Sequence, residues 1–249
     1  MYRPYTPTED RERTNSHYEQ PTPFFYALTG GQWNVYSCNL WDGARTDTES
    51  QVAKLDLLAQ LMELKPGQRV LDVGCGWGGP LVYLATRYGI TGVGLTLSSL
   101  QRRAAEERAA RWGAHAQFVE SHWSDYRPDT PFDVVYTDEV IVHFFDLAGF
   151  FRRVHSWLRP GGRMLNKELH LTHRRYSAMS RTMSHINEIF GGTGNYRTLA
   201  EELELVGQAG FEVQRIHQLP TSHYQKTVDR WEENLLANRA DLEPLVGAD

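Results

Sequence analysis

Residues 69–79 read RVLDVGCGWGG. The apolar run Val70-Leu71-Asp72-Val73 is followed at once by Gly74, Gly76, Gly78 and Gly79, and then by the helix-favouring stretch Leu81 to Arg87. Strand, glycine turn and helix in that order form the unit that holds a nucleotide-like ligand at the end of a parallel sheet, because glycines let the backbone come close to it. The spacing Gly74, Gly76, Gly79 satisfies GxGxxG, a pattern that turns also produce for conformational reasons alone. Asp72 narrows the choice of ligand. A carboxylate just ahead of the glycines repels a pyrophosphate and attracts a cationic amino group, such as the one S-adenosylmethionine (SAM) carries.

The same alternation extends outward. Strands at 70–73, 91–95, 116–119, 133–137 and 163–169 are separated by helices near 80–88, 98–112 and 146–158. That rhythm predicts an α/β, Rossmann-like, mostly parallel sheet with helices on both faces. Upstream, Val52, Leu55, Leu58 and Leu61 have helical spacing closed by Pro66-Gly67, and Arg159-Pro160-Gly161-Gly162 reads as a turn between helix and strand. After His170 the rhythm breaks: residues 171–197 read as an inserted cap, before a helix at 198–209, a strand at 212–219 and a helix at 224–237 with Trp231 on its apolar face. Residues 1–16 are polar and read as a mobile tail; residues 17–249 read as one domain, with a 65–170 cofactor-binding core between an N-terminal 17–64 portion and a C-terminal 198–249 portion. Between 17 and 41 lie Tyr18, Phe24, Phe25, Tyr26, Trp33, Tyr36 and Trp41, an aromatic density that suits either an ordinary packed helix or a lid on the cleft.

Composition bounds the function. With 26 basic and 31 acidic residues among 249, the formal charge of −5 offers no polycationic face, which argues against a nucleic acid partner. Cys38 and Cys75 are far apart and read as two reduced cysteines of a cytoplasmic protein. No apolar run reaches the roughly 18 residues of a membrane span, so no stable membrane insertion is expected, and no metal site is read. A homo-oligomer is compatible with everything in the chain.

The segment VLDVGCGWGG, followed by GVGLTLSSLQ at 92–101, resembles the first two cofactor motifs of class I SAM-dependent methyltransferases, and among them the cyclopropane fatty acid synthase-like group. YSCNLWDGA at 36–44 and HYQKTVDRW at 223–231 resemble that group's N-terminal and C-terminal signatures. The resemblance implies SAM as cofactor, with S-adenosylhomocysteine (SAH) as product, and favours the lid reading of 17–41. It also implies a final antiparallel strand, which the tail ADLEPLVGAD cannot supply in full; the last sheet edge then falls to further chain, a partner chain or the helix at 223–237.

Cofactor residues follow from both readings. Asp72 takes the methionyl ammonium, and the backbone at Gly74, Cys75 and Gly76 lies close to the ligand. Where a dinucleotide enzyme carries an acidic residue after the second strand, this chain has Thr96-Leu97-Ser98, and the resemblance gives Thr96, Leu97 and Gln101 to the cofactor, with Ser98 also capping the next helix. By the same resemblance Tyr36 and Ser37 join the site, as do His122, Trp123 and Asp138; Trp123 faces the adenine, with core packing as the rival reading. The acceptor side gathers Cys38, Glu139, His143, His170 and Tyr224. In the resembling family a bicarbonate held by a glutamate and a histidine removes a proton after alkene methylation. Here the glutamate position aligns with Val142, ahead of His143, and the histidine position aligns with Lys167, leaving His170 out of register. Half a base site favours plain methyl transfer to nitrogen or carbon of a small natural-product acceptor, with Glu139 or His143 as the base and Glu139 preferred. Methylation or cyclopropanation of a lipid acyl chain is the alternative, and a SAM-binding protein without catalysis is the third.

Overall fold

The computed structural model describes residues 6–9, 12, 18, 20–176 and 195–247. Five parallel strands, β1 (Arg69–Val73), β2 (Thr91–Thr96), β3 (Ala116–Glu120), β4 (Phe132–Asp138) and β5 (Leu158–Lys167), lie in the order β3-β2-β1-β4-β5. The order reverses between β1 and β4, so the crevice at the carboxyl ends of these two strands is where a ligand of this architecture binds. Asp72 of β1 stands there in register with Tyr136 of β4 on one side and Gly94 of β2 on the other.

Helices cover both faces, which is why the strands are apolar runs rather than alternating ones. On one face α2 (Asp47–Met62), α3 (Gly79–Tyr88) and α4 (Ser99–Trp112) bury Leu55, Leu58, Leu81, Leu84 and Ala105 against Val70 and Tyr136. On the other, α5 (Leu147–Trp157) buries Phe150, Phe151 and Val154 against Leu71, Val135 and Phe132. Helix ends follow the sequence: Thr46 caps α2 through Glu49 N–H, and Ser98 caps α4 through Gln101 N–H. A third cluster joins α1 (Thr22–Thr29) to the glycine turn through Phe25, Leu28 and Trp77, with Tyr36 and Trp231 packed on it.

Two expectations change. Residues 159–162, read as a turn, bulge out within β5, since Phe132 pairs with Leu158 and Val134 already with Arg163; Gly161 there has φ +74°. The strand expected at 212–219 does not form. After α6 (Leu199–Gln208), residues 211–220 carry no ladder and leave Val213 and Ile216 exposed, because β-branched residues favour extended backbone but only a hydrogen-bonded neighbour makes a strand. The helix over 223–237 is α7 (Thr221–Ala237), and it packs against α1 and the following α8 (Arg239–Val246). No antiparallel strand occurs among the described residues, and no helix among them is long and apolar enough to cross a membrane. The expected cap at 171–197 and the 1–16 tail lie largely outside the described residues.

The glycines divide by role. A Cβ on Gly79 would sit 1.7 Å from the Trp33 carbonyl oxygen, and one on Gly78 would meet Ala105 and Phe118 at 2.6 and 2.9 Å. These two serve packing between α3, the N-terminal segment and the sheet. Gly79→Ala is therefore expected to lower stability by at least the ~1–3 kcal/mol of an overpacked core, read as a shifted urea midpoint in the absence of any ligand. An unchanged midpoint refutes the close approach.

Candidate functional site

The glycine turn is only partly available to a ligand. Gly74 and Cys75 both donate their amides to the Leu95 carbonyl at 2.9 Å, so any contact they make with a cofactor is left to their carbonyls and Cα atoms. The Cys75 side chain is buried and packs where a Cβ on Gly94 would collide with it. Gly76 is different: it has φ +52°, and a Cβ there would meet nothing within 4 Å. Beside it Asp72 is 3% exposed and accepts the Tyr136 hydroxyl at 2.6 Å. Burial pushes its carboxyl up to about 7, despite the Tyr136 hydrogen bond. A buried carboxyl with no ion pair among the described residues, at the switch point next to an open glycine, fits a ligand that brings an ammonium group. Past β2, Thr96 Oγ1 donates to Gln101 Oε1 at 2.6 Å, with Leu97 half-buried between them. His122 pairs through Nδ1 with Ser124 Oγ at 2.7 Å. Trp123 packs on Phe144 and Phe150 with ring centroids at 5.7 and 5.4 Å, so core packing accounts for much of its ring, while its buried indole N–H has no hydrogen-bond partner among the described residues.

Across the crevice, four charges interlock. The fully buried Lys54 of α2 binds Asp138 Oδ2 and donates to Ser37 Oγ at 2.6 Å, and Ser37 in turn donates to Asp138 Oδ2 at 2.8 Å. Lys167 reaches Asp138 Oδ1 at 2.9 Å and Glu139 Oε1 at 2.5 Å. Burial would raise the Asp138 carboxyl, but Lys167 and Lys54 outweigh it and hold it well below its usual range. Burial would likewise lower Lys167, and the Asp138 and Glu139 carboxylates outweigh that and raise it. Ser37 and Asp138, expected at the cofactor, are thus committed to each other and to lysines. Glu139 also accepts the Cys38 amide at 3.0 Å, so the expected base is held in an ion pair.

The segment bearing Ser37 and Cys38 is tied on its far side to α7. Asn39 N–H and Trp41 Nε1 donate to Thr227 Oγ1 at 3.1 and 3.0 Å, and Trp41 N–H donates to His223 Nδ1 at 3.1 Å. Tyr36 stacks on Trp231 at 5.0 Å, with Phe25 at 5.5 Å and Trp77 at 6.3 Å. The Cys38 thiol is pushed up by burial. Tyr224 is raised first by burial, then by Glu139, Tyr196 and Cys38, which places these groups in one cluster. His143 sits half-buried on the 3₁₀ turn Ile141–His143. His170 is held by α6, with Nε2 at 2.7 Å from Glu202 Oε2.

Several residues here carry no sequence signal of their role. Lys54 stands in an amphipathic helix, Tyr196 follows a glycine run, and Glu168, one residue beyond β5, looks like any strand-end carboxylate. Glu168 accepts amides from Val142 and Leu169 at 3.1 and 2.9 Å, and burial lifts it to about 8.

A family profile described as mycolic acid cyclopropane synthetase matches residues 5–249. Methoxy mycolic acid synthase MmaA3 of Mycobacterium tuberculosis is 31% identical, over 94% of this chain and 83% of its own. The solved cyclopropane synthase MmaA2 of Mycobacterium tuberculosis superposes with a TM-score of 0.86 at 27% identity, covering 95% of this chain and 87% of that one. Mycolic acid cyclopropane synthase CmaA1, solved with SAH and CTAB, gives 0.84 at 28% identity and the same coverages.

Asp72 makes stability pH-dependent in a direction set by its raised ionisation. Unfolded, an aspartate ionises near 4; folded, this one does so at about 7, so between those values the folded chain binds the proton more tightly and loses stability as pH rises. Urea unfolding at pH 5 and pH 7.5 is expected to show a larger loss for the parent than for Asp72→Asn. Parallel losses refute the buried, unpaired carboxyl.

Proposed function

The chain belongs to the mycolic acid cyclopropane synthetase family and is a SAM-dependent methyltransferase, and from that premise we propose that its acceptor is a lipid acyl chain, methylated at a double-bond carbon. The observation that carries the reading is the reach of the likeness: 94% of this chain aligns with MmaA3, so it takes in the acceptor wall of Tyr36–Trp41 and α7 as well as the cofactor crevice. That extent favours the acyl acceptor over the small natural product to which the residues alone point.

SAM, when bound, supplies a methyl group made electrophilic by its sulfonium. Asp72 is assigned to its ammonium, Gly76 to the close backbone approach, and Thr96 and Gln101 to the ribose side. Phe25, Tyr36, Trp77 and Trp231 offer π faces that stabilise positive charge near the moving methyl without competing for it as nucleophiles. The aromatic cluster also excludes water, which protects a cationic acceptor from hydration.

Two measurements test this. With SAM labelled in its methyl group, label is expected in the acyl chains of cis-monounsaturated phosphatidylethanolamine vesicles; label recovered in ethanolamine phosphate instead returns the small-molecule acceptor to first place. By calorimetry, Asp72→Asn is expected to weaken SAM about 10- to 100-fold, the worth of one charge-assisted contact. Parent affinity should fall as pH drops below about 7, where Asp72 becomes protonated. An affinity equal in both proteins and flat with pH removes Asp72 from the ammonium.

A further inference from the structure

Glu168, just past the end of β5, makes no ion pair among the described residues, although the Lys167 charge next to it partly opposes the rise that burial causes. Each of its two oxygens accepts one amide, Oε2 from Val142 on the turn after β4 and Oε1 from Leu169 just past β5, which restrains the orientation of the group. Its neighbour Lys167 points its ammonium at Asp138 and Glu139 instead, and among the described residues no basic side chain is ion-paired with Glu168. Position 142, where the family resemblance puts a glutamate, carries a valine, and the amide of that valine holds Glu168. A carboxyl is therefore present near that place, carried in from β5 rather than from the turn after β4.

The groups around it are Glu139 and Lys167 on the sheet ends, and Tyr196, whose own ionisation burial raises first and Glu168 and Glu139 raise further. Tyr224 of α7 joins through Glu139 and Tyr196. Two of the competing bases are occupied: Glu139 by Lys167 and the Cys38 amide, His170 by Glu202. A proton moved to Glu139 must break an ion pair; a proton moved to Glu168 removes a charge that burial disfavours.

Resting on the methyl-transfer reading above, we propose that Glu168 is the general base of the reaction. The step balances. As the acceptor's π pair forms the new C–C bond, the C–S bond of the sulfonium breaks onto sulfur and leaves SAH. The acceptor cation then gives a proton to Glu168: taken from the transferred methyl, the C–H pair left behind closes a three-membered ring onto the cationic carbon; taken from the carbon beside the cation, it becomes a new double bond. Glu168 returns the proton to solvent. An ionisation at about 8 suits this cycle near neutral pH, since a base works best when its pKa lies close to the working pH.

The test compares the parent, Glu168→Gln and Glu139→Gln on cis-monounsaturated phosphatidylethanolamine vesicles, with SAM affinity measured alongside. Turnover of the parent is expected to rise with pH through about 8. Glu168→Gln should be about 10²- to 10⁴-fold slower, flat over that range and unchanged in SAM affinity. A variant as fast as the parent, or slow but with the same pH profile, overturns the proposal. If the parent methylates no vesicle, the acceptor reading fails by itself, and Glu168 is judged by NMR titration of the ¹³C-carboxyl-labelled protein bound to SAH, its resonance identified by its loss in Glu168→Gln. Ionisation near 8 in that complex supports a base poised for neutral pH, and ionisation below 5 overturns it.

Discussion

Everything at the carboxyl end of the sheet depends on a buried pair of lysines facing a buried pair of carboxylates. Lys54 comes from α2, Asp138 and Glu139 from the end of β4, Lys167 from the end of β5, and the hydroxyl and amide of Ser37 and Cys38 complete their coordination. Desolvating four charges costs several kcal/mol each, and removing one partner strands another in a site largely shielded from water. Such a network contributes little net stability but allows few alternatives. It fixes where the N-terminal segment crosses the sheet, and through Asn39 and Trp41 it also fixes α7, so the aromatic wall and the sheet ends form one body.

The network also explains why the acceptor side departs from what the cofactor side suggests. Lys167 stands where the resembling family has a histidine, and a lysine there draws both Asp138 and Glu139 into ion pairs. The carboxylate that first attracts notice in the sequence is thereby the one least able to take a proton. Its neighbour Glu168, not ion-paired with Lys167, keeps its lone pairs on two backbone amides, in surroundings whose burial disfavours charge.

What was legible in the sequence was what local rules control. The glycine turn, the apolar runs of β1, β2 and β4, and the cap at Ser98 are each decided within a few residues, and each is found where those residues put it. The strand expected at 212–219 depends on a neighbour far along the chain, and propensity alone carries no knowledge of one. The site divides in the same way. Asp72 and Gly76 announce themselves by spacing, whereas the commitment of Ser37, the burial of Lys54 and the raised ionisation of Glu168 arise from contacts between segments 17 to 101 residues apart or from burial itself. Two glycines counted toward a ligand in the sequence, Gly78 and Gly79, turn out to make room for Phe118 and for the backbone at Trp33.

Glu139 has φ +59°, a left-handed backbone that costs a residue with a side chain roughly 1–2 kcal/mol and that glycine adopts freely. Its carboxylate offsets that cost by holding Lys167 and the Cys38 amide. Positions 139 and 167 are therefore locked together in descent. Glycine at 139 relaxes the chain but leaves Lys167 to Asp138 alone, and a neutral residue at 167 leaves Glu139 both strained and uncompensated. A lineage that moves between this arrangement and one with a histidine after the fifth strand must change both positions, so the two are expected to vary in step across relatives of this chain, as a signature of which charge arrangement each one uses.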